Sequence, residues 1–351
     1  MKRLAAAITV FAILGIVVFG VFAASGLAQD RVPGDAIRDR IRDRMEQRRL
    51  ERVPQLGGAA KVLGAAPGYE SIVIAGKRRT FMRYTPNRVL GKKAPVVFAL
   101  HGAKGTADRL IGYLGLNEVA DREGFVVVYP QGEKNRWNDG RAADKTGGGD
   151  VSTANDLEFL NGLADALVAQ GVADPSRIYM LGVSNGGFMA FNAACDSASR
   201  FAAYASVIAS MPVEAIAKCK PSRAVPVMMI NGTGDEMIRF DGGPGKFGIS
   251  GNAPPMEVAK HFAGLAGCRN VSAMALRDAD TKDGTRVSLS SWAGCVPGSG
   301  VEFYAVDGGG HQAPSRSKVA GGYVLDMFLG TRSHDIDTAE AAWAFFKGYR
   351  R

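Results

Sequence analysis

The chain has 351 residues, 46% hydrophobic and 22% charged, a composition of a globular protein that can bury one substantial core, and one large α/β domain is more economical than two. Its net charge of +9 is spread without a long Lys/Arg block interleaved with aromatics, which excludes a nucleic-acid-binding role. With no C-x-x-C pair and no His/Cys cluster, a structural or catalytic metal is not expected, and no motif calls for a cofactor.

Met1 to Ala28 pairs the basic Lys2-Arg3 with an apolar stretch, residues 4–24, and ends in small residues, so it reads as a secretory signal cleaved after Ala28. The apolar stretch is also long enough to span a bilayer, which keeps an uncleaved N-terminal membrane anchor as the alternative. Either way the remainder is expected to be exported, as a secreted or periplasmic protein. Residues 29–68 follow as a spacer. Asp30 to Arg52 is dense in both charges, with Ile37, Ile41 and Met45 every fourth residue, the pattern of a solvated helix with a narrow apolar stripe or of a short partner-binding segment. Gly57-Gly58-Ala59-Ala60 and Gly64-Ala65-Ala66-Pro67-Gly68 read as a flexible linker.

From Tyr69 to Arg351 the pattern becomes that of a covered sheet. SIVIAG and RRTFMRYTP alternate like hairpin strands around Gly76-Lys77, and APVVFAL (94–100) is an unbroken apolar run, as for a strand buried on both faces. A helix is expected over Asp108 to Arg122, then the strand GFVVVYP (124–130). Gln131 to Ser152 is a polar, glycine-rich loop carrying Trp137. A helix over Asn155 to Gln170 leads through Asp174-Pro175-Ser176 to the strand RIYMLG. Val225 to Ile230, Val287 to Trp292 and Val301 to Val306 are later strands, with a helix over Met256 to Leu265. Strands alternating with helices predict a mostly parallel central sheet with helices on both faces, with the site beyond the carboxyl ends of the strands.

The chemistry concentrates at those ends. Gly182-Val183-Ser184-Asn185-Gly186 lies between an apolar strand and a helix-compatible run, the order of a nucleophile elbow, in which glycines avoid collisions around a strained Ser. A Ser hydroxyl needs a base within reach and the base needs an orienting carboxylate. Ser184, Asp235 after the Val225–Ile230 strand, and His311 in Gly308-Gly309-Gly310-His311 supply them in the chain order of an α/β-hydrolase, with Asp241 the reserve acid. His261 lies in a helix and His334 precedes a helix start at Asp337, so neither is expected to act as base. His101 is expected to shape its turn. The backbone amides of Asn185 and Ala103 are the expected oxyanion donors. His101, Trp137, Gln312 and the loop Gly242 to Pro255 are candidates for lining the pocket. Four cysteines in an exported chain predict two disulfides. Three connectivities are open, and sequential pairing, Cys195 with Cys219 and Cys268 with Cys295, closes the most local loops.

LHGAKG, GFVVVYPQG, RWNDGR, ANDLEFL, GVSNGGFMAF, NGTGD and GGGHQAP, in this order, resemble the polyhydroxybutyrate depolymerase-like esterases, a family close to feruloyl and acetyl xylan esterases. The resemblance spans roughly residues 69–351. It implies an exported α/β-hydrolase that cleaves a carboxylic ester substrate, small or polymeric, through an acyl-enzyme on Ser184, with Asp235 and His311 completing the triad. The alternatives are a feruloyl or acetyl xylan type esterase, a serine peptidase on the same fold, or a non-catalytic binding protein. Three departures stand out. Ala103 occupies a position that is often Cys, Asn155-Asp156 replaces paired acids and leaves Asp156 a helix-start role, and Ala313 replaces a Trp that would wall the pocket. Nothing in the sequence sets the oligomeric state.

Overall fold

The computed structural model describes residues 63–64, 68–141, 153–246, 251–317 and 328–351. The signal or anchor segment, residues 1–28, and nearly all of the spacer lie outside the described residues, so both remain expectations. Among the described residues no helix is long and apolar enough to cross a membrane.

Eleven strands form one sheet among the described residues: β1 (Leu63–Gly64), β2 (Glu70–Ile74), β3 (Lys77–Tyr84), β4 (Ala94–Leu100), β5 (Val126–Pro130), β6 (Ala173–Val183), β7 (Ala203–Val207), β8 (Val227–Gly232), β9 (Asn270–Ala275), β10 (Arg286–Ala293) and β11 (Val301–Asp307). Their order is β1-β2-β3-β5-β4-β6-β7-β8-β11-β10-β9. From β5 to β11 every neighbouring pair is parallel. Both margins are antiparallel: β1, β2 and β3 on one side, β10 and β9 on the other. The expected parallel sheet is therefore its centre, with short antiparallel additions at the edges. This architecture is an α/β-hydrolase fold.

Period-two geometry explains the central strands, whose successive side chains point to opposite faces. All seven residues of β4 are buried. Val96, Phe98 and Leu100 enter one core with Phe159, Leu163, Met189 and Phe262. Val97 and Ala99 enter the other with Leu110, Val119, Tyr179 and Phe346. The first core is covered by helices α3 (Asp156–Ala169), α4 (Asn185–Asp196) and α6 (Pro255–Leu265), the second by α1 (Ala107–Leu114), α2 (Leu116–Glu123) and α7 (Thr338–Phe346). A short helix, α5 (Val213–Lys218), follows β7.

Several local expectations are corrected. The helix expected over residues 108–122 is two helices, because Gly115 takes φ 67° and serves as C-cap of α1 and N-cap of α2. Strands β7 and β9 went unread, as did β1, whose Gly64 falls in the expected linker and pairs with Glu70 of β2. The first, AYASV, is built largely of small residues, and the second, NVSAMA, is exposed at every position, so neither shows the apolar run or alternation that marks a strand. The start at Asp337 behaves as read: its carboxylate accepts from the amides of Ala339 and Glu340 and caps α7.

Two disulfides, Cys195–Cys219 and Cys268–Cys295, close loops of 24 and 27 residues in sequential order. The first ties the end of α4 to the residue after α5, and the second ties the turn after α6 to the turn beyond β10. Loops of this length are worth about 3 kcal/mol each.

Candidate active site

Ser184 stands between β6 and α4 at φ 52°, ψ −118°, a conformation that costs an L-residue strain and is held by the packing around it. Its amide donates to Val207 O of β7, and its carbonyl accepts from Phe188 N to start α4. Three glycines make the turn possible. A Cβ on Gly182 would lie 1.9 Å from Gly186 O, one on Gly186 would lie 2.4 Å from Leu100 O, and one on Gly187 would lie 2.7 Å from Ala209 Cβ. Side chains at these positions would push α4 off the sheet.

The second cluster of loops comes from β8 and β11. Thr233 N–H donates to Val306 O, Gly234 N–H to Gly309 O, and Gly308 N–H to the Thr233 hydroxyl, which lace the two turns together. Gly232 must be glycine for this approach, since its Cβ would meet Gly309 O at 2.2 Å. Asp235 and His311 emerge from these turns, 76 residues apart in sequence and in contact in space: His311 Nδ1 lies 2.7 Å from Asp235 Oδ2. The other carboxylate oxygen accepts from the amides of Met237 and Ile238, both at 2.8 Å. The Asp235 carboxylate is thereby fixed and almost wholly buried. His311 Nε2 lies 2.9 Å from Ser184 Oγ.

A hydroxyl, an imidazole and a buried carboxylate in series can do one kind of chemistry well. With the Nδ1 proton donated to Asp235, Nε2 is free to accept the hydroxyl proton, and the imidazolium that results is stabilised by the carboxylate. Asp241, the reserve acid, is exposed. His334 contacts Ser315 O and His261 the Cys219 backbone, where burial lowers the His261 pKa below its ordinary value. Among the described residues no group of three or more His, Cys, Asp and Glu side chains is arranged to hold a metal ion.

The turn after β4 abuts the elbow. A Cβ on Gly102 would lie 3.4 Å from Ser184 Cβ and 4.0 Å from its Oγ, so the His101-Gly102-Ala103 backbone runs beside the hydroxyl. Among the described residues neither the Ala103 nor the Asn185 amide donates to a turn, cap or loop partner.

The residues expected to line a pocket are placed differently. His101, Trp137 and Gln312 are 1%, 3% and 4% exposed, so they support the site from behind. Trp137 was expected in a surface loop, but its indole N–H donates to His101 O. His101 Nδ1 contacts Gly102 O, and its Nε2 accepts from Gly132 N–H; burial holds its pKa below the ordinary 6.5. Gln312 Nε2 donates to Gly330 O. In the loop from Gly242 to Pro255, residues 247–250 lie outside the described residues, while Asn252 and Ala253 are buried and Gly243 bridges Asn252. Ala313 is fully buried. Its amide donates to the Tyr113 hydroxyl and its carbonyl accepts from Arg332, whose guanidinium lies 4.8 Å from the Tyr113 ring centroid. Position 313 therefore packs inward, and Tyr113 is the aromatic beside it.

Sequence reasoning missed the supports of the elbow. Asn185 Nδ2 donates to Asp139 Oδ2, Asp139 pairs with Arg141, and the Arg141 guanidinium stacks 3.7 Å over the Phe188 ring. Farther back, Arg79 and Asp156 form a buried ion pair at 2.7 Å. Burial pushes the Asp156 carboxyl above its usual value, against the pull of the Asn138 amide and Arg79. A signal existed for Arg79, which shares the buried face of β3 with Phe81 and so places a charge at a core position. A cavity of about 190 Å³ flanks the site, lined by Asp139, Phe188, Asn192, Met211 and the Cys195–Cys219 bridge among others, but not by Ser184 or His311.

Known proteins resemble this chain. Residues 79–244 match the family model for Esterase PHB depolymerase. NocK of Nocardia uniformis subsp. tsuyamanensis, named as an esterase, is 28% identical over 298 residues, covering 82% of this chain and 84% of NocK. Feruloyl esterase B of Piromyces equi is 24% identical over 67% of this chain, and the match spans 42% of that longer protein. The structure of an acetyl xylan esterase from Aspergillus awamori aligns with TM-score 0.47 and 17% identity, over 77% of this chain and 99% of that one. Residues 79–244 thus resemble the PHB depolymerase esterases, and the chain is a carboxylic ester hydrolase.

Proposed function

We propose that the protein hydrolyses carboxylic esters through an acyl-enzyme on Ser184. The observation that supports this most is the unbroken series from Ser184 Oγ to His311 Nε2 at 2.9 Å and from His311 Nδ1 to Asp235 Oδ2 at 2.7 Å. Ser184 Oγ attacks the ester carbonyl as His311 takes its proton, and the negative charge that develops on the carbonyl oxygen is met by the amides of Asn185 and Ala103. Collapse breaks the bond to the alcohol oxygen, which leaves with the proton held on His311. Water then attacks the acyl-enzyme as His311 takes its proton, and collapse breaks the bond to Ser184 Oγ, which regains that proton from His311 as the acid departs.

Export belongs to the same reading. The basic and apolar N-terminus reads as a signal or anchor, and two disulfides suit an oxidising compartment. Feruloyl and acetyl xylan esters, named for relatives, join hydroxybutyrate oligomers as the substrate panel. The test is a nitrophenyl ester assayed for a pre-steady-state burst, with a fluorophosphonate probe mapped on the labelled protein. A burst, with label on Ser184 and none on the Ser184→Ala variant, is expected. Equal turnover by wild type and Ser184→Ala across the panel would overturn the reading, and cleavage of matched peptide amides would redirect it to a peptidase.

A further inference from the structure

The two amides assigned to the oxyanion hole stand on different elements, Asn185 at the start of α4 and Ala103 in the turn after β4. A preorganised hole needs its donors held within about 0.5 Å of the productive geometry. Between His101 and Ala103 lies Gly102, with no side chain to restrain the backbone.

Trp137, in the loop after β5, bridges the two halves. Its indole N–H donates to His101 O at 2.8 Å. Its main-chain N–H donates to Asn185 Oδ1 at 2.8 Å, and Asn185 Nδ2 donates to its carbonyl at 3.2 Å. One residue thus grips the side chain of the residue that carries one amide and the carbonyl two residues before the other. At 3% exposure these bonds are shielded from competing water.

The neighbouring contacts act in the same direction. The indole lies beside the His101 imidazole, ring centroids 5.0 Å apart. Gly132 N–H donates to His101 Nε2 at 3.0 Å, which leaves the proton on Nδ1 to donate to Gly102 O at 2.8 Å. That carbonyl belongs to the peptide unit whose N–H is Ala103's, and a trans peptide is planar with its C=O and N–H opposed, so fixing one aims the other. On the far side, Asn138 N–H donates to Asp156 Oδ2 at 2.7 Å, and Asp156 is held by Arg79, which anchors the loop that carries the indole.

We propose that Trp137 is a positioning residue for ester hydrolysis, which locks the Asn185 and Ala103 amides at the spacing that the tetrahedral oxyanion requires. The inference rests on the acyl-enzyme reading of Ser184.

Trp137→Phe keeps a ring beside His101 and removes the indole N–H. With active sites counted by fluorophosphonate titration, kcat per site on a nitrophenyl ester is expected to fall on the order of 10- to 100-fold while KM moves less than about 2-fold, the mark of an interaction made in the transition state. Affinity for a trifluoromethyl ketone, which forms a tetrahedral oxyanion adduct with the Ser, should fall in parallel, and affinity for the matching unfluorinated ketone should not. Asn185→Ala keeps the amide and removes both side-chain bonds to Trp137 along with the bond to Asp139, so it should show the same pattern, and the double variant should lose little more than Asn185→Ala alone. If Trp137→Phe is not recovered folded, Asn185→Ala decides by the same readouts. A per-site kcat within 2-fold of wild type, or a loss carried by KM and by the unfluorinated ketone, would overturn the proposal. Ser184→Ala retaining turnover would instead strike the acyl-enzyme reading, whatever Trp137→Phe does.

Discussion

The two halves of the site are built by different means. The Ser184 half is local: strand, turn and helix are contiguous, and Gly182, Gly186 and Gly187 clear the space around one strained residue. The Asp235–His311 half is assembled at long range, from turns after β8 and β11 that are neighbours in the sheet, while the hairpin β9–β10 lies between them in sequence and outside them in space. The first half depends on steric permission at a few positions, and the second on correct strand order. The same glycine logic recurs within the second half, where its two turns meet at Gly232 against Gly309.

Substitutions should separate these modes of construction. The largest effect is expected from Ser184→Ala, which removes the proposed nucleophile and should lower kcat on the order of 10⁴-fold or more at unchanged melting temperature, read by a nitrophenyl ester assay and thermal unfolding. Asp235→Asn comes next. It keeps the shape but favours the wrong His311 tautomer, and kcat should fall about 10³- to 10⁴-fold with little change in KM. A loss under about 10-fold would mean that the long-range half orients nothing.

Gly186→Ala probes the local half through packing. Its Cβ would lie 2.4 Å from Leu100 O, with backbone on both sides unable to yield, so a destabilisation of about 3 kcal/mol is expected in denaturant unfolding, together with loss of activity. The paired change Cys268→Ser with Cys295→Ser probes the far margin. Stability should fall by roughly 2–4 kcal/mol while kcat per titrated site stays at the wild-type value, because this bridge joins α6 to the edge hairpin and touches neither half.

The smallest effect concerns pH. Burial holds the His101 pKa below 6.5, so the unfolded chain takes up a proton that the folded one refuses. Its contribution to stability is therefore full above about pH 6.5 and is lost as pH falls from there toward the folded-state pKa. The melting temperature of wild type should drop across that window, and His101→Asn should flatten the slope. An identical slope in both would assign the acid sensitivity elsewhere, His261 being a second histidine with a lowered pKa.

What could be read in advance follows the same division. The elbow was legible because its demands are local and steric, and APVVFAL announced a central strand because every one of its side chains is buried. Asp235 and His311 were legible only as residues placed after strands, and their 2.7 Å contact belongs to the tertiary structure. Strand β7 escaped because Ala and Ser carry almost no hydrophobic signal, although it sits in the middle of the sheet and receives the Ser184 amide.

Trp137 marks the boundary most clearly. A polar, glycine-rich stretch reads as exposed loop because composition reports average solvent preference. The same indole is buried because Arg79 and Asp156 anchor the neighbouring Asn138, and because His101 and Asn185 present the partners that its polar atoms need. The sequence by itself determined the alternation of strands and helices, the elbow and the order Ser184, Asp235, His311, since these follow from periodicity and backbone sterics. Only the tertiary structure decided which carboxylate meets His311 and which side chains stand behind the two amides, because hydrogen bonds between residues tens to more than a hundred positions apart depend on strand order and burial, which no local pattern encodes.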